Sequence, residues 1–105
     1  MFNCCTEGKL PNLDEHTSLE INAVYSNLVG DETCCEALFG VASGQLSVET
    51  LLEPGFNQDE LFYTIYSRHE DGDVEALHDE KSLDEIKLVA SRIVELYPHL
   101  TLLIN

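Results

Sequence analysis

The sequence predicts an α+β fold, a small sheet with helices packed mainly against one face, in the order α-α-α-β-β-α-β. Three observations predict it. Apolar residues recur at helical spacing, between capping residues, across the first half of the chain. An aromatic and β-branched run then begins near residue 61 and is followed by an Asp-Gly turn signal. A second capped amphipathic run starts at Ser82 and leads into a short apolar end.

Residues 1–16 show no period and are broken by Gly8, Pro11 and Asn12, so they read as an irregular arm, with Leu10 and Leu13 able to pack onto the rest. The first helix is expected at about 18–29. Ile21, Val24, Tyr25, Leu28 and Val29 form one stripe, Thr17 and Glu20 make a capping box, and Gly30 is a stop. Leu19, Ile21, Ala23 and Tyr25 also alternate as a strand would. That alternation puts Val24 on the polar side and leaves the caps without a role. A second helix is expected at about 31–43, capped by Asp31, with Cys34, Cys35, Leu38, Val41 and Ala42 on one face. A third, at about 47–53, starts at Ser47 and stops before Pro54.

The run 61–69 has strand composition, and 73–79 pairs back onto it across Asp71-Gly72. In that register Ile65 faces His78, Tyr66 faces Leu77, Arg68 faces Glu75 and His69 faces Val74. The helix at 83–97 opens on a Ser82–Glu85 capping box, is expected to bury a stripe of Leu83, Ile86, Val89, Ala90, Ile93 and Tyr97, and ends at Pro98. A final apolar strand is expected at 100–104. No internal repeat or boundary divides the chain, so residues 1–105 read as a single small domain.

Composition restricts function. Twenty acidic residues stand against five basic ones, for a formal charge of −15. Direct binding to nucleic acid or an anionic membrane is disfavoured, because phosphate recognition needs clustered Lys and Arg. A basic protein partner is favoured instead: a nuclease, a toxin or a nucleic-acid-binding protein. No apolar run approaches the roughly 20 residues of a membrane span, and the N-terminus lacks a secretory pattern. A cytoplasmic protein with reduced thiols is expected.

The chemistry-bearing residues make no enzyme or metal motif. Cys4-Cys5 and Cys34-Cys35 are adjacent pairs, whereas structural zinc sites draw ligands two to four residues apart. A thiolate nucleophile needs an electropositive setting that this chain does not offer. Asp71, Gly72 and Asp73 fit a calcium loop only loosely, and strands are expected on both sides of them. No cofactor, metal or catalytic residue is assigned, and the chain is expected not to be an enzyme.

The acids are unevenly spread. Residues 59–85 hold Asp59, Glu60, Glu70, Asp71, Asp73, Glu75, Asp79, Glu80, Asp84 and Glu85, offset there only by Arg68 and Lys81. The hairpin, its turn and the start of the following helix are expected to form one negative surface. Its partner-binding residues would be Asp71, Asp73, Glu75, Glu70, Asp79, Glu80, Asp84 and Glu85, with Tyr66 as an aromatic anchor. Glu20, Glu32, Glu36, Glu49 and Glu53 would form a second acidic set on the outer faces of the three helices.

The mix of helices, small sheet and acidity is loosely similar, in architecture alone, to intracellular nuclease inhibitors. The leading expectation is an acidic module that blocks a basic surface, as an immunity-type toxin inhibitor or a DNA mimic. Two others stand beside it. One is a small-molecule-binding or regulatory domain with Tyr63 and Ile65 in a pocket; the other is a thiol or metal protein using the Cys pairs. A monomer is expected, or a homodimer if the hairpin's outer strand pairs across a two-fold axis.

Overall fold

The computed structural model describes residues 12–29, 32–52 and 54–105. Five strands form one mostly antiparallel sheet, and its spine is β1 (His16–Val29). β3 (Leu61–His69) pairs antiparallel along one side of β1. The other side is shared. β2 (Glu32–Leu38) runs antiparallel to Ala23–Val29, and β5 (Thr101–Ile104) runs parallel to Ser18–Ile21. β4 (Val74–Glu80) pairs antiparallel with the outer side of β3. The helices are α1 (Val48–Leu51), a single turn, and α2 (Leu83–Leu96).

The expected order α-α-α-β-β-α-β is therefore wrong in its first half. Residues 18–29 and 31–43 hold strands β1 and β2 where helices were expected, and the helix expected at 47–53 shrinks to α1. With those helices goes the architectural likeness to nuclease inhibitors. The physical reason lies in the alternation. Leu19, Ile21 and Ala23 point to one face and are fully buried, while Ser18, Glu20 and Asn22 point to the other. Val24 does fall on the polar side, opposite Phe62, and is only 1% exposed there. Ser, Thr, Asn, Tyr, Val and Ile are weak helix formers, so once β3 and β5 flank the segment the strand wins. Cys34 and Cys35 accordingly lie on a strand, not a helix, and Cys35 is exposed. The arm expected at 1–16 falls mostly at 1–11, outside the described residues, as do Cys4 and Cys5.

One face of the sheet carries the core. Ile86, Val89, Ala90 and Ile93 of α2 press onto Leu19, Ile21, Ile65 and Leu77, with Leu13, Ala42 and Leu100 closing the edges. Further along the same face Ala23, Leu38 and Leu61 form a second cluster, packed by Val41, Val48 and Leu52 from the excursion between β2 and β3. α2 starts where its sequence says it should: the Ser82 side chain accepts from the Glu85 N–H, and Asp84 and Glu85 sit in the positive first turn.

The hairpin departs from the expected register. Ile65 does face His78, but Tyr66 faces Ala76, Ser67 faces Glu75 and Arg68 faces Val74. Leu77 is the extra residue of a β-bulge, so Leu77 and His78 both oppose Ile65 and both are buried. The link is Glu70–Asp73 rather than a two-residue turn. It closes through the His69 N–H to the Asp73 carbonyl (2.7 Å) and the Gly72 N–H to the His69 carbonyl (2.9 Å). Gly72 takes φ +100°, which L side chains rarely adopt. No described helix is long and apolar enough to cross a membrane.

Candidate functional site

The tip of the β3–β4 hairpin folds against the start of β1. The Glu70 N–H donates to the Glu15 carbonyl at 3.0 Å, and His69 pairs with His16 across the strands. Thr17 is the extra residue there, and this bulge lets β1 curl under the tip. The two imidazoles meet edge to face with centroids 5.1 Å apart. His99 secures the same corner, its Nε2 lying 3.1 Å from the Leu13 carbonyl and 3.0 Å from that of His16.

A hollow of about 300 Å3 opens at this point, lined by His16, His69, Asp71, Asp73, Val74 and Glu75. His69 spans two carboxylates, with Nε2 at 3.3 Å from Glu15 Oε2 and Nδ1 at 3.2 Å from Asp71 Oδ1. Burial disfavours charge on this ring, but the Asp71 and Glu15 carboxylates outweigh it and hold the His69 pKa above its ordinary value. The Asp71 carboxyl is held below its ordinary value, chiefly by the Asp73 N–H donating to Oδ1 at 2.9 Å and then by His69. His16 is 8% exposed, and its Nδ1 has no hydrogen-bond partner.

Arg68 is committed elsewhere. Its Nε donates to Glu20 Oε2 at 2.7 Å and its Nη1 to the Gly72 carbonyl at 3.2 Å. The Arg68–Glu75 pair expected from sequence is therefore replaced by a pair with β1. The Glu20 side chain, expected on an outer helical face, is only 13% exposed and holds Arg68 on the sheet face opposite α2.

The expected partner-binding residues separate into groups. Glu70, Asp71, Asp73 and Glu75 are exposed at or beside the tip. Asp79 and Tyr66 are half-buried further along the hairpin, and the Thr64 hydroxyl donates to Asp79 Oδ1 at 2.7 Å. Glu80 lies 2.8 Å from Nε2 of His78, a ring only 4% exposed. Asp84 and Glu85 are exposed at the start of α2. The tip and α2 lie beyond opposite ends of β4, whose seven residues span roughly 20 Å. The acids thus line a strand's length rather than gather at one point. Among the described residues no group of three or more His, Cys, Asp or Glu side chains is placed to hold a metal ion.

Sequence reasoning missed Glu15 and His16, which were assigned to the irregular arm. Nothing near them in the chain marks them; β1–β3 pairing alone delivers them to the tip. Comparison with protein-family models, curated proteins and solved structures finds no match to this chain.

Proposed function

We propose that this chain is a non-enzymatic acidic binding module that covers a basic surface of a partner protein, in the manner of a toxin-immunity protein or a DNA mimic. One observation carries the reading. Between described residues the only ion pair that uses a lysine or arginine is Arg68–Glu20, while Glu70, Asp71, Asp73, Glu75, Asp84 and Glu85 stay exposed. None of these six pairs with a lysine or arginine among the described residues, and clustered self-repulsion works against the compact state. Facing a basic partner, the same charges steer encounter and fix orientation. Val74, exposed beside the tip, and half-buried Tyr66 supply apolar contact area.

The test is affinity capture on the immobilised chain from its source cells, at low and high salt, followed by association kinetics with each retained protein. Basic proteins held at low salt and released at high salt are expected. Neutralising Asp71, Asp73 and Glu75 together should slow association at least tenfold. Retention of no basic protein at low salt would end the proposal.

A second reading rests on an open hollow of about 550 Å3 lined by Gln58, Asp59, Leu61, Tyr63 and Lys81. Its size suits a small molecule. Ile65, expected in such a pocket, is fully buried in the core instead. A ligand co-purifying with the chain and displaced by Tyr63→Ala would favour this reading.

A further inference from the structure

We infer that the hollow between β2 and the excursion before β3 is a receptor for a small quaternary ammonium group, the chemistry shared by choline and a trimethylated lysine side chain. The inference stands apart from the acidic-module reading. Tyr25 pairs with Leu61, at the end of β3 far from the hairpin tip, and none of the tip acids lines this hollow.

Strand register builds its first wall. Tyr25 of β1 lies directly opposite Glu36 of β2, so the two side chains share the face that carries the core. Tyr25 packs there beside Ala23, Leu38 and Leu61, while Glu36 stays exposed at the margin. The chain then returns to Tyr25. Gly55 takes φ +89° and turns the backbone after Pro54, and the Asn57 N–H donates to the Tyr25 hydroxyl at 3.0 Å. Half-buried Phe56 meets Tyr25 between these two points, with the ring planes at 87° and the centroids 6.2 Å apart. A hollow of about 390 Å3 opens here, lined by both rings and by Glu36, Leu51, Leu52 and Pro54.

Aromatic faces carry the negative part of the ring quadrupole, and they attract cations. Two rings at a right angle form a corner in which one cation can meet both. Glu36 adds a full negative charge, and no lysine or arginine lines the hollow or, among the described residues, pairs with Glu36. The same set disfavours ordinary cations. A lysine ammonium brings three N–H donors and a guanidinium five. The lining side chains answer with one carboxylate and a hydroxyl that already accepts from Asn57. Donors taken out of water and left unpaired cost free energy. A quaternary nitrogen has no donor to satisfy. Its charge is spread over methyl groups, which the rings, Leu51, Leu52 and Pro54 can contact directly.

The experiment uses the full chain, isotopically labelled, titrated with choline chloride and read by amide and aromatic resonances, with sodium chloride at equal ionic strength as the reference. Saturable shifts at Tyr25, Glu36, Leu51, Leu52 and Phe56, and none at residues 69–75, are expected. The uncharged isostere 3,3-dimethylbutan-1-ol should bind at least fivefold more weakly. Glycine betaine should also bind more weakly, because its own carboxylate meets Glu36. Nα-acetyl-Nε-trimethyl-lysine amide should bind at least fivefold tighter than its unmethylated counterpart. Choline binding tighter than the trimethyl-lysine amide assigns a free small molecule as the source; the reverse order assigns a modified protein side chain. Phe56→Leu, which keeps apolar volume and loses the ring, should weaken choline binding at least fivefold, whereas Phe56→Tyr should retain it. Exposed Glu36→Gln should weaken it at least threefold. Equal affinity for choline and its uncharged isostere would overturn the inference, as would shifts reproduced by sodium chloride or binding undiminished in Glu36→Gln and Phe56→Leu.

Discussion

His69 shows how one residue can hold two arrangements. Its Nδ1 lies 3.3 Å from the Asp71 N–H and 3.2 Å from the Asp71 carboxylate. A neutral Nδ1 accepts from the N–H; a protonated one donates to the carboxylate. The two contacts therefore belong to the two charge states. Because the folded pKa is raised, the stability from protonated His69 is fully present below the ordinary imidazole value and is lost as pH rises through the folded value. Asp71 is lowered, so its contribution is present above the ordinary carboxylate value and is lost as pH falls through the folded one. The tip is held most firmly between about pH 4 and pH 6.5. Urea midpoints measured from pH 6 to 8 should fall for the wild type and fall less for His69→Gln. Identical slopes would show that His69 does not carry the dependence. Such a tip is loosest where its acids are most available to a cation.

At the scale of elements, the bulge in β4 decides how the hairpin meets α2. Without an extra residue, strict alternation would send either Leu77 or His78 to the face opposite α2. With it, Leu77 reaches Ile65, Ile86 and the rest of the core while His78 is buried beside it and contacts Glu80. Leu77→Ala should cost about 2–5 kcal/mol, as for other fully buried leucines. Exposed Ala-for-Glu exchange at Glu75 should change stability by at most about 0.5 kcal/mol. Comparable urea midpoints for the two variants would place Leu77 outside the core. The existence of this hairpin, of α2 and of β5 was legible, because Asp-Gly, the Ser82 cap and Pro98 punctuate strongly periodic runs. The bulge was not, since nothing within β4 distinguishes Leu77 as the extra residue. β1 was misjudged because Ile21 and Tyr25 satisfy both periods while Val24 fits only the helical one, and Gly30-Asp31 reads equally as a helix stop and as a hairpin signal.

Across the whole molecule the charge of −15 acts against compactness and is balanced by the core on one side of the sheet. Screening should relieve that repulsion, so the urea midpoint should rise between 50 mM and 500 mM sodium chloride. A midpoint that falls with salt would mean that the local pairs at Arg68 and His69 outweigh the repulsion. The sequence by itself determined the acidity, the absence of a phosphate-binding composition and the elements from residue 61 onward, because these depend on residue counts and on short-range caps and turns. Only the tertiary structure decided that His16–Val29 and Glu32–Leu38 are strands, because β1 becomes a strand by pairing with segments more than thirty residues away. It also decided what the candidate site is. A strand roughly 20 Å long parts the tip acids from those of α2, and β1 brings Glu15 and His16 under the tip to complete it.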